Sequence, residues 1–380
     1  MLDQKGSILA SSCTLHKARQ PSMANHRSQH FVPRSYLKRF SLSKEGRSIH
    51  MYNIPQSKFI LNASIKGQCA KKYLYGEYLQ IEQSLQHCES EFGRIMNILE
   101  TNQNDIISRD MFFLRDFMML QFSRTEAAII RTKSMFEGVD KTIKESFGQS
   151  PTGVNLDPEN MMLTTLKFFS DFCKTVSDLQ VCIVINKTRQ DFITSDDPVC
   201  LTSKFHAQKL KSNSFGIASS GVIFLFPISP RMLLVCFDGD VYSIANRRGY
   251  FAATSNERDV SSCNELQYIG ASNNLYFADW DQREVIEREI SKFERPRHAS
   301  EKMSRFVEDS KTKFGTRYRM PGSDELPNEH GVLIELSQTR VFPSRWMSKI
   351  KFRQKIRCYG NGSAAGPVRL HTWRNRFHRD

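Results

Sequence analysis

Seven polar side chains stand at the edges of apolar runs in widely separated parts of the chain: His30, Gln121, Arg124, Asp196, Arg231, Asn264 and Gln267. A scaffold that gathered them would aim them into one cleft, the way rigid elements hold a site. Arg124 and Arg231 could then fork onto a phosphate or carboxylate with planar donors that lysine does not match. His30 would serve as general acid or base, because an unperturbed imidazole titrates near neutral pH. Asp196 would orient that histidine or hold a divalent metal, and Asp197 beside it would add an oxygen ligand. Gln121, Asn264 and Gln267 would contact the substrate. Such a set favours phosphoryl chemistry, with nucleic acid as the leading source of phosphate. A competing reading makes the same residues buried partners. Arg124 would pair with Glu82, Glu89 or Asp196, and His30 would satisfy a backbone group, because ion-pair networks share these features with active sites.

Several other chemistries are disfavoured. Ser195 precedes two aspartates and Pro198, a turn-forming run without the glycines of a nucleophile elbow. The nine cysteines are scattered, with no pair at the spacing of a metal clamp or redox motif, and read as reduced thiols packed as small apolar residues. No Gly-rich phosphate loop and no internal repeat is present. The Met and Phe runs over 111–120 and 161–169 have the spacing of core packing rather than of a cofactor box. The residues name no cofactor and no oligomeric state.

The elements that must carry these side chains change character along the chain. Pro33 biases its predecessor toward extended geometry and suits a helix first turn, after which Tyr36, Leu37 and Phe40 recur at helical spacing. Strands are expected over Ile49 to Ile54 and Lys58 to Leu61 around Pro55. Helices follow. One runs from Glu77 to Leu99 on Leu79, Leu85, Phe92, Ile95, Met96 and Leu99. Another opens at Ser108 and runs through Phe113, Phe117 and Leu120 toward Ser134, continuing more weakly to Phe147. A third covers about Pro158 to Thr175, after a loop from Gln149. Short branched and aromatic runs then predict strands of one sheet at Val181 to Ile185, Phe192 to Thr194, Gly221 to Pro227 and Met232 to Phe237, with Val241 to Ser243 as an extension. Asp259 to Ala271 reads as helix, Leu275 to Ala278 as a last strand, and Gln282 to Ser310 as a charged terminal helix. Helices first and strands mostly afterwards predict an α+β protein, a central helical segment packed on a mixed or antiparallel sheet.

The totals agree with a folded chain. Of 380 residues, 39% are hydrophobic and 27 are phenylalanine, a composition far from that of disordered chains. No apolar run approaches the roughly 18 to 20 residues that cross a bilayer. The start lacks the apolar stretch and cleavage site of an export signal, so a cytoplasmic protein without a membrane partner is expected. Charge is unevenly placed: from Arg340 to Asp380 there are 11 Lys and Arg against one acidic residue, which is +10 of the formal +14. In this segment Lys349, Lys351, Arg353, Lys355 and Arg357 alternate with Ile350, Phe352 and Ile356, which would put the cations on one face of a strand. Trp346, Tyr359, Trp373 and Phe377 interleave with Arg345, Arg374, Arg376 and Arg379, a composition suited to phosphates and exposed bases. Three segments are therefore expected: a flexible leader over 1–26, a single α+β domain over 27–312, and a basic, partly disordered tail over 313–380.

Five short blocks occur in a characteristic order: Gln29-His30-Phe31-Val32-Pro33 with Tyr36, Leu37 and Phe40; Gln121 with Arg124-Thr125; Ile193 through Val199; Phe226 through Arg231; and Asn264 through Gln267. Together they resemble the signature of domain-of-unknown-function family 4238, over about residues 29–280. The resemblance implies a compact bacterial domain and no established activity. At Asp197 the family pattern would have Asn, and a second carboxylate there would alter a polar network or a metal preference. The leading functional expectation is an enzyme acting on a phosphate-containing substrate, nuclease- or phosphoesterase-like. The alternative is a non-catalytic nucleic-acid-binding or interaction protein that uses the basic C-terminal tail.

Overall fold

The computed structural model describes residues 28–41, 46–75, 79–147, 158–246, 249–293, 297, 300–313, 315–322, 332–360, 362–363 and 366–377. The expected leader over 1–26, residues 149–157 of the expected loop, and Arg379 lie outside the described residues. In chain order the elements are β1 (Ser28–His30), α1 (Arg34–Leu37), β2 (Ser48–Asn53), β3 (Lys58–Ser64), β4 (Ala70–Lys72), α2 (Leu79–Thr101), α3 (Ser108–Arg124), α4 (Glu126–Phe147) and α5 (Pro158–Thr175). There follow β5 (Gln180–Asn186), β6 (Thr194–Ser195), β7 (Cys200–Thr202), β8 (Ile223–Ser229), β9 (Met232–Phe237), β10 (Tyr242–Ser243), β11 (Phe251–Thr254), α6 (Glu257–Gly270), β12 (Asn274–Phe277) and α7 (Arg283–Ser291). The chain ends with β13 (Ser300–Thr312), β14 (Gly315–Arg319), β15 (Val332–Thr339), β16 (Lys351–Phe352) and α8 (Leu370–Phe377).

This is an α+β fold organised on a five-stranded sheet of order β11-β5-β9-β8-β7, parallel at β11–β5 and antiparallel elsewhere. Every residue of β8 and β9 is buried, so these strands read as continuous apolar runs, the mark of a sheet covered on both faces. Alternate side chains enter two different cores, as the pleat requires. Ile183, Phe224, Phe226, Leu234 and Cys236 join the core shared with α2, α3 and α5. Cys182, Val184, Ile223, Leu225, Leu233 and Val235 join a second core that includes α6 residues Val260, Cys263 and Leu266 and, from the far end of the chain, Met347 and Ile350.

The expected single sheet is in fact two. β6 and β12 leave the five-stranded sheet and join β2 and β3 in an antiparallel sheet of order β3-β2-β12-β6. A two-residue strand carries no compositional trace of its partner, and only the tertiary pairing of Thr194 and Ser195 with Tyr276 and Leu275 assigns it. Tyr36 stitches the two sheets together. Its hydroxyl donates to the Pro227 carbonyl at 2.6 Å and shares a 2.6 Å hydrogen bond with Thr194 Oγ1, while its ring stacks on Phe226 at 5.0 Å. β10 likewise does not extend the main sheet but pairs with β16.

Helix positions agree with the periodicity. Leu85, Phe92, Ile95, Met96 and Leu99 of α2 are all buried. The helix expected to run on from Ser108 breaks at Thr125, whose extended backbone (φ −81°, ψ 162°) separates α3 from α4. Thr125 Oγ1 accepts from Ala128 N at 3.2 Å, which makes this residue the N-terminal cap of α4. The charged terminal helix is also corrected. α7 stops at Ser291, and from Ser300 the chain is a strand paired on both sides, in the order β14-β13-β15. Long-range pairing outweighs the weak helical preference of a charged segment.

Part of the expected tail is packed: among the described residues after Arg340, Met347, Ile350, Val368 and Trp373 are buried. Arg369, only 3% exposed, fixes the end of this segment. Its guanidinium donates to Asp178 and to the carbonyls of Thr175, Ile217 and Ser219. Apolar residues are few and irregularly spaced in this segment, so no local pattern marks it as packed, yet Met347 and Ile350 join the second core. Arg369→Ala would leave those carbonyls and Asp178 unmatched. It is expected to cost about 3–5 kcal/mol in urea denaturation, with proteolysis of the C-terminal segment becoming rapid, whereas a solvated tail would show neither effect.

Candidate functional site

Arg124, the last residue of α3, is among the largest fully buried side chains. Its Nη1 and Nη2 donate to Glu89 Oε1 at 3.1 and 3.2 Å, Nη2 also to the His30 carbonyl at 2.7 Å, and Nε to the Tyr75 hydroxyl at 3.0 Å. Burial disfavours the cation, but Tyr75 and Glu89 hold its pKa above the ordinary arginine value. Tyr75 in turn donates to the same His30 carbonyl at 2.9 Å, and its backbone N–H is accepted by Gln29. This clasp joins β1, α2 and α3. It engages the backbone of His30 and not its ring, whose Nε2 faces the Lys66 carbonyl at 3.2 Å. Partial burial, with the nearby charges of Arg34 and Arg124, pushes the His30 pKa below its usual value despite that bond.

Asp196 is equally committed. Its two carboxylate oxygens accept the backbone N–H groups of Ser272, Asn273 and Asn274 at 2.8, 2.7 and 3.1 Å, closing the turn between α6 and β12. Desolvation lifts the carboxyl to about 6 against the opposing pull of those N–H groups. Asn264 accepts from Ile193 N and donates to the Asp191 carbonyl. Gln267 accepts from Ser195 Oγ and donates to the Pro198 carbonyl at 2.8 Å each. These three residues therefore clamp the extended segment 191–198 onto α6. Arg231 lies at the turn between β8 and β9, half-exposed, bonded to the Thr188 carbonyl and to Asp191 at 2.9 Å. Gln121 is wholly buried on α3, and neither of its amide atoms has a hydrogen-bond partner among the described residues.

None of these seven residues lines a cleft that is formed among the described residues. Of about 840 Å³, the cleft lies between α4, the end of α6, the segment 197–201, and two arginines from later in the chain, Arg297 and Arg340. Its lining includes the apolar side chains Phe122, Ile130, Leu201, Leu266 and Ile269. Arg131 donates to Asp197 Oδ2 at 2.6 Å and to the Phe122 carbonyl, with its guanidinium 5.0 Å from the Phe122 ring centre. Thr125, the α4 cap, donates to the other oxygen of Asp197 at 2.7 Å. Arg297 donates to the carbonyls of Tyr268 and Ala271, satisfying the C-terminal end of α6 where a cation is favoured. Arg340 lies 5.3 Å from the Phe215 ring centre; burial, and then the charge of Arg131, push its pKa down to about 10, so it remains a cation at neutral pH. Glu126, at the rim, receives Lys71 at 2.5 Å. Three arginines and two carboxylates therefore share the lining with apolar side chains.

Residues 28–281 match the model of the family described as protein of unknown function (DUF4238). The chain belongs to this family. No curated protein and no solved structure matches it. The DUF4238 segment supplies most of the cleft lining, including Arg131 and Asp197, whereas Arg297, Arg340 and Val341 follow the end of the matched segment. Sequence reasoning passed over these arginines because no motif surrounds them. Of the carboxylates weighed in the sequence, Asp197 is the one that stands on the cleft lining. The described cysteines are all free, and seven are buried as small apolar residues; no cluster of metal-ligating side chains occurs among the described residues. No helix among them is long and apolar enough to cross a membrane.

Two measurements test the clasp and the clamp. Arg124→Ala should destabilise the fold by about 3–5 kcal/mol in denaturant titration, because Glu89, Tyr75 and the His30 carbonyl lose a shared donor. Asp196 has a folded-state pKa raised from 3.8 to about 6, so its protonated form is favoured by folding. Its contribution is fully present below the unfolded-state pKa and is lost as pH rises through about 6. Wild type should thus gain stability relative to Asp196→Asn as pH falls from 6 toward 4, by up to about 3 kcal/mol. A flat difference across that window would show an unshifted carboxyl.

Proposed function

We propose that the cleft binds a phosphate-bearing ligand of small-molecule size. The observation that carries this reading is that Arg131, Arg297 and Arg340 share the lining of one cleft with several apolar side chains. Guanidiniums present forked donors suited to phosphate oxygens, and gathering three cations at one partly desolvated wall is offset when an anion enters. The apolar side chains of the lining would take the remainder of the ligand, and the volume suits a small organic molecule. A catalytic version, nuclease- or phosphoesterase-like, would draw its acid or base from Glu126 or Asp197, the carboxylates on the wall. His30 is not placed for that role, because its imidazole faces the Lys66 carbonyl outside the cleft lining.

Isothermal titration with inorganic pyrophosphate and with a nucleoside monophosphate tests the reading. Saturable binding is expected, weakened roughly tenfold or more by Arg340→Gln and unchanged by His30→Ala, since a charge-assisted hydrogen bond contributes about 1.5–3 kcal/mol. Absence of saturable binding to either probe, or equal affinity in the Arg340→Gln protein, would overturn the proposal.

A further inference from the structure

The segment following the cleft carries a second cationic feature. Ser344 is bonded to Glu265 and Ser348 to Asp259, so the chain from Arg340 runs back along α6 from its C-terminal half to its first turn. It then reaches β16, which pairs with β10. Only Lys351 and Phe352 are regular strand, and the chain bends at Gln354 and Lys355, where Gln354 is exposed between two exposed cations. Ile350 is buried, and Phe352 and Ile356 pack on the second core, while Lys351, Arg353, Lys355 and Arg357 are exposed. The apolar side chains anchor the segment and turn its cations outward.

Other lysines converge on the same place. The Nζ atoms of Lys204 and Lys209 stand 5.2 and 5.4 Å from the centre of the Phe352 ring, and Lys204 also donates to the Ile350 carbonyl. Opposing carboxylates are few. Asp240 pairs with Arg357 at 3.4 Å, Asp238 is turned inward onto the N–H groups of Gly221 and Asp240, and Asp259 is occupied by Thr254 and Ser348. Held on a folded surface, these like charges repel one another, and a polyanion laid across them removes that repulsion while releasing its own counterions.

We propose that the ridge formed by Lys351, Arg353, Lys355 and Arg357, with Lys204 and Lys209 beside it, docks the phosphate backbone of a nucleic acid. Contacts from lysine and arginine to phosphate oxygens carry no sequence information, so binding through this ridge is expected to be independent of sequence. An anionic membrane is the poorer partner, because Ile350, Phe352 and Ile356 face inward and leave no apolar wedge to enter a lipid interface. The ridge lies after the segment that matches DUF4238 and does not depend on the occupancy of the cleft.

The test uses the full chain and a fluorescently labelled oligonucleotide, single-stranded and duplex, with anisotropy followed over a salt series. The logarithm of the binding constant should fall linearly with the logarithm of salt, with a slope of roughly −0.7 to −0.9 per phosphate contacted. Lys351→Gln/Lys355→Gln, which breaks none of the hydrogen bonds described above, should weaken binding roughly tenfold and make the slope shallower by about 1.5. A control with the same charge change on exposed lysines of β3 and β4, Lys58→Gln/Lys72→Gln, should alter affinity by less than about twofold at moderate salt, where distant charges are screened. Equal losses in both double variants would reduce the effect to net charge and overturn the proposal. So would binding to phosphatidylserine vesicles without binding to either oligonucleotide. Arg340→Gln, which tests the cleft, should leave oligonucleotide affinity within about twofold, so the two proposals fail separately.

Discussion

A guanidinium sealed inside a protein must find partners for its donors, and the burial of Arg124 imposes that demand at the junction of three elements. Glu89 on α2, Tyr75 ahead of it and the carbonyl of His30 at the end of β1 meet the requirement together. Their relative positions cannot drift without leaving a charge unmatched in a medium of low polarity. The next residue extends the constraint outward. Thr125 breaks the helix, caps α4 and donates to Asp197, so two successive residues connect the buried clasp to the wall of the cleft.

The main sheet explains why the C-terminal segment is folded. A sheet whose strands are apolar on both faces needs cover on both, and helices α2, α3 and α5 supply only one side. α6 covers the other together with Met347 and Ile350. The cationic end of the chain is thus part of the core as well as of the surface. Its apolar residues complete a face of the sheet, while Lys351, Arg353, Lys355 and Arg357 are left on the outside. The cleft arises at the seam where this segment passes the end of α6, which is why its wall combines residues from within the DUF4238 match and beyond it.

Four polar residues of the motif blocks, Arg124, Asp196, Asn264 and Gln267, satisfy backbone at places where regular pairing stops. Asp196 holds three N–H groups of the α6–β12 turn, Asn264 and Gln267 hold the irregular segment 191–198, and Arg124 holds the last carbonyl of β1. Buried irregular backbone carries donors and acceptors that neither helix nor sheet can match, so side chains must do it. Gln121 stands apart, because its buried amide meets no such group among the described residues.

Periodicity by itself determined the α+β class, the course of α2 and α5, the buried strands β5, β8 and β9, and the outward face of the cations from Lys351 to Arg357. Each of these follows from local alternation of apolar and polar residues, which a folded core can only obey. The polar residues could be recognised as unusual in the sequence, but whether they bond to one another, to backbone or to a ligand depends on what lies across from them. Tertiary structure alone decided that β6 and β12 leave the main sheet, that residues 300–312 pair as a strand, and that Arg131, Arg297 and Arg340 share the lining of one cleft. Those are contacts between positions tens to hundreds of residues apart, and no local pattern encodes the identity of a distant partner.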